Sequence, residues 1–300
     1  MIVLQQTNPK ILIIGLGQIG YHNAEYLTRL GLNVEGFDLE RNAIKRALDS
    51  KIIQREAKNF EGYDCHLICV STHNPNNITE PLLDGLLETA ERLKQEGKEG
   101  GLVSIESTIT KGVSNQVERL LEHKLHVAHV PHRFYSEDKR EHGVKQLRVL
   151  GGCKGCCTRA ALDFYASVLG IPVYTVKSVE VAELSKIIEN SHRFLEIAFA
   201  EELKMFCDDQ GLDFEELKGA INSKWNIRIL EARNGIGGHC LPKDTQMFFG
   251  LARNLLPTST LSAAIESDKQ YQFHLAESKA FQVVFPSNIL QQKRRAIHGS

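Results

Sequence analysis

The sequence predicts an α/β protein, a doubly wound parallel sheet followed by a helical domain built on one long helix. Three observations carry this. Short apolar runs alternate with helical patterns up to about Val176. The first run ends in a glycine-rich turn that opens a helix. Val181 to Gln210 holds neither Gly nor Pro and is rich in Ala, Glu, Leu and Lys. At 3.6 residues per turn that stretch reads as an unbroken helix of about eight turns.

The elements follow in order. Lys10 to Ile14 is an apolar run bounded by glycine, as expected of a strand buried on both faces. A helix over Gln18 to Leu30 and a strand over Asn33 to Phe37 come next. Further strands are predicted at Cys65–Val70, Leu102–Ile105, Val127–Val130, Leu147–Leu150 and Val173–Val176. Helical patterns fall near Pro81–Gln95, Val113–His123 and Thr158–Leu169. The long helix should end at Gly211, with shorter helices at Phe214–Ile221 and Asp244–Leu255. After about Gln270 the periodicity fades into a basic end at Lys293-Arg294-Arg295. The expected domains are residues 1–176, 177–265 and a tail at 266–300.

Of 300 residues, 42% are hydrophobic and 24% charged, with a net charge of −1. This is globular usage and excludes a strongly basic nucleic-acid binder. No run approaches the ~20 apolar residues that span a bilayer. Met1 to Lys10 lacks the pattern of a signal peptide, so a soluble cytoplasmic protein with seven reduced cysteines is expected.

Gly15-Leu16-Gly17-Gln18-Ile19-Gly20 fits G-x-G-x-x-G between a strand and a helix, and Asp38 closes the second strand. Gly15 permits the turn, Gly17 lets backbone N–H groups meet a pyrophosphate, and Gly20 lets helix and strand pack closely. Gln18 and Ile19 open the helix whose N-terminus attracts the anion. Asp38 suits ribose hydroxyls and repels a 2′-phosphate, which favours NAD, although Arg41 lies close by. The first domain is therefore Rossmann-type. A glycine turn serving only helix–strand packing is the plainer reading.

The most informative stretch is Asn234-Gly235-Ile236-Gly237-Gly238-His239-Cys240-Leu241-Pro242-Lys243-Asp244. With Pro242 as first helical residue, Cys240 sits just before a helix N-terminus, which favours a thiolate. Asp244, four residues on, can share its edge of the helix. A buried structural cysteine is the alternative. Lys186 and Asn190 lie one turn apart on the long helix. They suit acid–base work or an oxyanion, or else a solvated face with Lys186 paired to Glu183.

In this order the motifs resemble the UDP-glucose/GDP-mannose dehydrogenase family over roughly residues 10–265. They are Gly15–Gly20 with Asp38, Val70-Ser71-Thr72, Glu106-Ser107-Thr108, Pro131-His132-Arg133, Val149-Leu150-Gly151-Gly152, Ala182-Glu183-Leu184 with Lys186 and Asn190, Glu201-Glu202-Leu203, and Gly237 to Asp244. The resemblance implies a four-electron oxidation of a sugar or nucleotide-sugar primary alcohol to a carboxylate, with two NAD reduced. In that scheme Cys240 attacks the aldehyde and carries a thiohemiacetal, then a thioester. Lys186 and Asn190 hold the oxyanion, and Asp244 and Thr108 position or activate the water. Thr72, Thr108 and Lys243 face the cofactor, and the long helix makes a homodimer. His132 stands where the family usually has a glutamate tied to thioester hydrolysis. It could serve as the base itself, or the change could mark a different substrate. The family's C-terminal nucleotide-binding domain has no counterpart in the residues after 265.

Two other functions fit parts of the pattern. One is a two-electron β-hydroxyacid-type dehydrogenase using Lys186 and Asn190. The other is a non-catalytic NAD-binding homologue. The cluster Cys153, Cys156 and Cys157 lacks a second cysteine pair, so no metal is expected. His123, His126, His129 and His132 recur every three residues, which alternates faces along a strand and prevents convergence unless the backbone is irregular.

Overall fold

The computed structural model describes residues 8–135, 138, 141–238, 240–252 and 259–284, save the side chains of 278–284. The readings made for Met1 to Thr7, His239, Arg253 to Leu255 and the basic end at Lys293 lie outside these residues.

Seven strands form one sheet in the order β2-β1-β3-β4-β5-β6-β7. They are β1 (Lys10–Ile14), β2 (Asn33–Phe37), β3 (Cys65–Ile68), β4 (Leu102–Ile105), β5 (His126–His129), β6 (Arg148–Gly152) and β7 (Val173–Thr175). β2 through β5 run parallel with β1, β6 pairs antiparallel with β5, and β7 is parallel to β6. The prediction of a wholly parallel sheet thus holds for five strands. The connection between β5 and β6 contains no helix among its described residues, so β6 returns beside β5 in the opposite direction.

The apolar runs are explained by burial on both faces. Ile11 and Ile13 join one core with Ala24 and Leu27 of α1 (Gln18–Arg29), Ile44 and Ala47 of α2 (Arg41–Asp49), and Ala161 of α5 (Gly155–Leu162). Leu12 and Ile14 join the other core with Leu86, Ala90 and Leu93 of α3 (Asp84–Glu96) and Val113 and Val117 of α4 (Val113–Leu120). Each such aliphatic side chain gains about 1.5–3 kcal/mol on full burial, so alternation with polar residues is selected against here. α2 was not foreseen. It is only nine residues long, and its inward face rests on Ile44 and Ala47. Beyond Leu162 the helix widens into a π-type segment, Asp163–Val168.

The long helix α6 spans Val179–Gln210 and stops at Gly211, whose φ is +69°. The described residues divide into two compact units within it, at Ile187/Ile188 rather than at 176/177. The first turns of α6 belong to the sheet. A Cβ on Gly151 of β6 would lie 2.8 Å from Val179 Cα, and Glu183 accepts the N–H groups of Gly112 (2.6 Å) and Ser114 (2.7 Å) at the start of α4. Glu183 is thereby a helix cap, and this commitment replaces its expected pairing with Lys186.

The second unit contains the rest of α6, α7 (Phe214–Asn222), α8 (Cys240–Ala252) and α9 (Thr260–Val284) around Phe194, Ala198, Ile236 and Ala264. Asp213 caps α7 by accepting the Glu216 N–H at 2.9 Å. Helix α9 runs straight through residue 266, where a tail was expected to begin. Its buried positions, Leu261, Ala264, Asp268 and Tyr271, keep helical spacing but include an aspartate and a small alanine, which hides the period. No helix among the described residues is long and apolar enough to cross a membrane.

Candidate active site

In the first unit the candidate residues lie at the carboxyl ends of β1 to β4, where the strand order reverses between β1 and β3. Gly15 has φ +93°, and a Cβ there would lie 2.7 Å from the Cys69 carbonyl oxygen. A Cβ on Gly20 would come within 1.8 Å of the Gly15 oxygen. Both glycines are forced by close backbone approach. Gly17 is different. It caps α1 with no side-chain bond, it is exposed, and nothing lies within 4 Å of its missing Cβ. The N–H groups at the start of α1, with Gln18 exposed and Ile19 half-buried, therefore face open space that an anionic group can enter. Asp38 accepts the Leu16 N–H at 2.6 Å and the Glu40 N–H at 2.8 Å, so it fixes the glycine turn against β2 while staying half-exposed. Thr72, after β3, donates to the Thr108 carbonyl at 2.7 Å after β4. These residues fit a dinucleotide with its pyrophosphate on α1 and a ribose at Asp38.

Beneath this edge lies a buried polar network that sequence reasoning largely missed. Glu106 accepts from Arg148 Nη1 (2.8 Å), Asn23 Nδ2 (2.7 Å) and Tyr165 Oη (2.5 Å). His132 Nδ1 accepts the Phe134 N–H at 3.1 Å, and its Nε2 lies 2.8 Å from Arg148 Nη2 and 3.0 Å from Asn23 Oδ1. Burial, reinforced by the Arg148, Lys186 and His22 charges, pushes His132 well below the usual imidazole range. The ring is thus neutral with both nitrogens engaged. Acting as a base on water would require one of these nitrogens to give up its present partner. The available signal was Arg148 itself, a charged residue inside the apolar run 147–150, where burial demands a partner.

A separate group of candidate residues belongs to the second unit. Cys240 is the exposed first residue of α8, one to two residues earlier than expected, so Pro242 is third in the helix rather than first. Proline is tolerated anywhere in the first turn because N–H groups there lack intrahelical partners. Asp244 is buried one turn below Cys240. It accepts from Asn190 Nδ2 of α6 at 2.5 Å and is ion-paired with the buried Lys243. Lys243, expected on the cofactor side, is thus tied to Asp244. Lys186 lies one turn before Asn190 on α6 and is half-buried. The loop before Cys240 is braced by α9, a role the sequence did not suggest. Asp268 accepts the Ile236 N–H at 2.8 Å, and Tyr271 donates to the Arg233 carbonyl at 2.8 Å.

The central-domain pattern of the UDP-glucose/GDP-mannose dehydrogenase family matches residues 180–270, from the start of α6 into α9. Residues 180–270 thus resemble the central domain of that family. Relatives agree. A UDP-N-acetyl-D-mannosamine dehydrogenase of Methanococcus maripaludis is 28% identical over 257 residues, covering 78% of this chain and 60% of the relative. An NDP-N-acetyl-D-galactosaminuronic acid dehydrogenase of Ralstonia nicotianae is 30% identical over 268 residues, covering 78% and 63%. The chain therefore spans about three fifths of the length of the curated relatives it matches. Among solved structures, the UDP-D-ManNAc dehydrogenase from Pyrococcus horikoshii superposes with a TM-score of 0.74 at 23% identity, over 95% of this chain and 72% of that one. At that identity the likeness speaks for the fold alone, a mostly parallel sheet and a long helix.

Proposed function

We propose that this chain oxidises the primary alcohol of a nucleotide sugar to a carboxylate, with NAD as oxidant and Cys240 as nucleophile. The observation that carries the reading is the Asp244 cluster. Asn190 and Lys243, drawn from separate motifs, converge on a buried carboxylate one turn from an exposed cysteine at a helix N-terminus. Gly15, Gly17, Gln18, Ile19, Gly20, Asp38, Thr72 and Thr108 would hold NAD, which supplies a hydride acceptor when bound. Cys240 presents its exposed sulfur at the start of α8. That sulfur adds to the aldehyde carbon as a thiohemiacetal and stays bonded to it as a thioester until water displaces it. Lys186 and Asn190 donate to the oxygen that becomes negative, and Asp244, with Thr108, orients the water. His132 keeps the loop after β5 in place through Phe134 and Asn23. A homodimer through α6 completes the reading.

The test is NADH formed per sugar consumed, with UDP-N-acetyl-D-mannosamine and UDP-glucose as probes, in the parent protein and in Cys240→Ala. Two NADH per sugar, abolished in the variant, is the expected result. One NADH, unchanged in the variant, overturns it in favour of two-electron hydroxyacid-type chemistry. NAD binding without turnover of any probe points instead to a non-catalytic NAD-binding homologue.

A further inference from the structure

The histidine and cysteine runs that the sequence reading set aside meet at the opposite edge of the sheet. After α4 the backbone turns left-handed at Glu122 (φ +51°) and His123 (φ +59°), and this irregularity folds His123 back towards His126, the first residue of β5. Their rings stand edge to face, 5.7 Å apart. Cys156 and Cys157 are the second and third residues of α5. Cys156 Sγ lies 3.6 Å from His123 Nε2, and Cys157 Sγ lies 3.9 Å from His126 Nδ1. Ligand atoms of His123, His126 and Cys156 all fall within 4.8 Å of one another, and Cys157 joins this group through His126 without lying within that distance of all three.

We propose that His123, His126, Cys156 and Cys157 form a Cys2His2 site for a zinc-class divalent ion. Zinc–sulfur bonds of about 2.3 Å and zinc–nitrogen bonds of about 2.0–2.1 Å place sulfur and nitrogen about 3.6 Å apart on a tetrahedron, close to both contacts. A second observation points the same way. His123 faces Glu118 with its other nitrogen, Nδ1, at an ion-pair distance of 3.4 Å without a hydrogen bond, and Glu118 is itself held by Lys154 at 2.7 Å. A carboxylate behind the non-ligating nitrogen is the usual support of a metal-bound histidine. The exposed Cys156 gives the ion a way in. Four protein ligands make this a closed, structural centre. It lies at the amino ends of the parallel strands, whereas the glycine turn lies at their carboxyl ends. Its effect is therefore to pin the α4–β5 turn to α5.

Cobalt substitution tests this. The metal-free protein, reduced with a non-chelating phosphine, is titrated with Co²⁺ and followed by visible absorption. The expected result is one Co²⁺ per chain, with a thiolate-to-cobalt band and the intense d–d bands of tetrahedral cobalt, both displaced by Zn²⁺. Cys156→Ser and His123→Ala should abolish the bands, and Glu118→Gln should weaken binding by about 10–100-fold. Cys240→Ala, which removes the exposed thiol of the other unit, should leave the spectrum intact. Substoichiometric binding, octahedral bands, or a spectrum that survives both Cys156→Ser and His123→Ala would overturn the proposal.

Discussion

Arg148 is the residue whose environment is most demanding. Its guanidinium is 1% exposed, and its ionic partner Glu106 is equally enclosed. Removing one member of such a pair leaves a buried charge, which costs about 3–5 kcal/mol, whereas removing both costs far less. Arg148→Met should therefore destabilise the first unit by about 3–5 kcal/mol in denaturant unfolding, and Arg148→Met combined with Glu106→Gln should recover a substantial part. Equal losses in the single and double variants would show that the pair is not the cause. At this scale the sequence was legible where a residue's chemistry is local. Gly15, Gly20 and Asp38 stand as the motif requires. It was not legible where chemistry depends on long-range neighbours. Nothing near His132 in the chain announces Asn23 and Arg148, which occupy both its orientation and its charge.

Along helix α6, Val181, Ile188, Phe199 and Phe206 are each more than two fifths exposed. Their spacings of seven, eleven and seven residues return to the same side of a 3.6-residue helix, so they form one apolar stripe facing solvent. Such a stripe on a helix of about 48 Å is the expected surface for an isologous pair of chains. Sedimentation at micromolar concentration should give a dimer, and Phe199→Glu with Phe206→Glu should give a folded monomer. A monomeric parent, or a variant that stays dimeric, rejects the stripe as the interface. The extent of α6 was plain in the sequence because it lacks Gly and Pro. α9 was obscured because its inward face holds Asp268, placed there to brace the cysteine loop. Packing alone would have put a leucine at that position.

Across the whole chain, buried titratable groups give the two units opposite responses to pH. In the first unit, burial pushes His66 down to about 4 and His129 down to about 3 from an ordinary 6.5. Both rings are neutral when folded, so below about pH 6.5 only the unfolded chain takes up their protons. Stability then falls with pH until the folded values are reached, by up to about 1.4 kcal/mol per pH unit per ring. In the second unit, burial and the nearby Asp268 push Glu201 up to about 8 from 4.5. It is protonated when folded, so stability falls as pH rises from about 4.5 and levels off above about 8. Hydrogen exchange read unit by unit should show these opposite slopes. His129→Leu should flatten the first and Glu201→Gln the second, and unchanged slopes would reject these groups as the cause. One consequence remains in the reversed strand β6. Running against β5, it delivers its first residue where strands β1 to β5 deliver their last. That lets Arg148 reach Glu106 from 42 residues away and Asn23 from 125. A nascent chain that has emerged only through β5 can align five strands but cannot bury Glu106. The sheet therefore has to wait for its sixth strand before it can close, and synthesis order is built into its cooperativity.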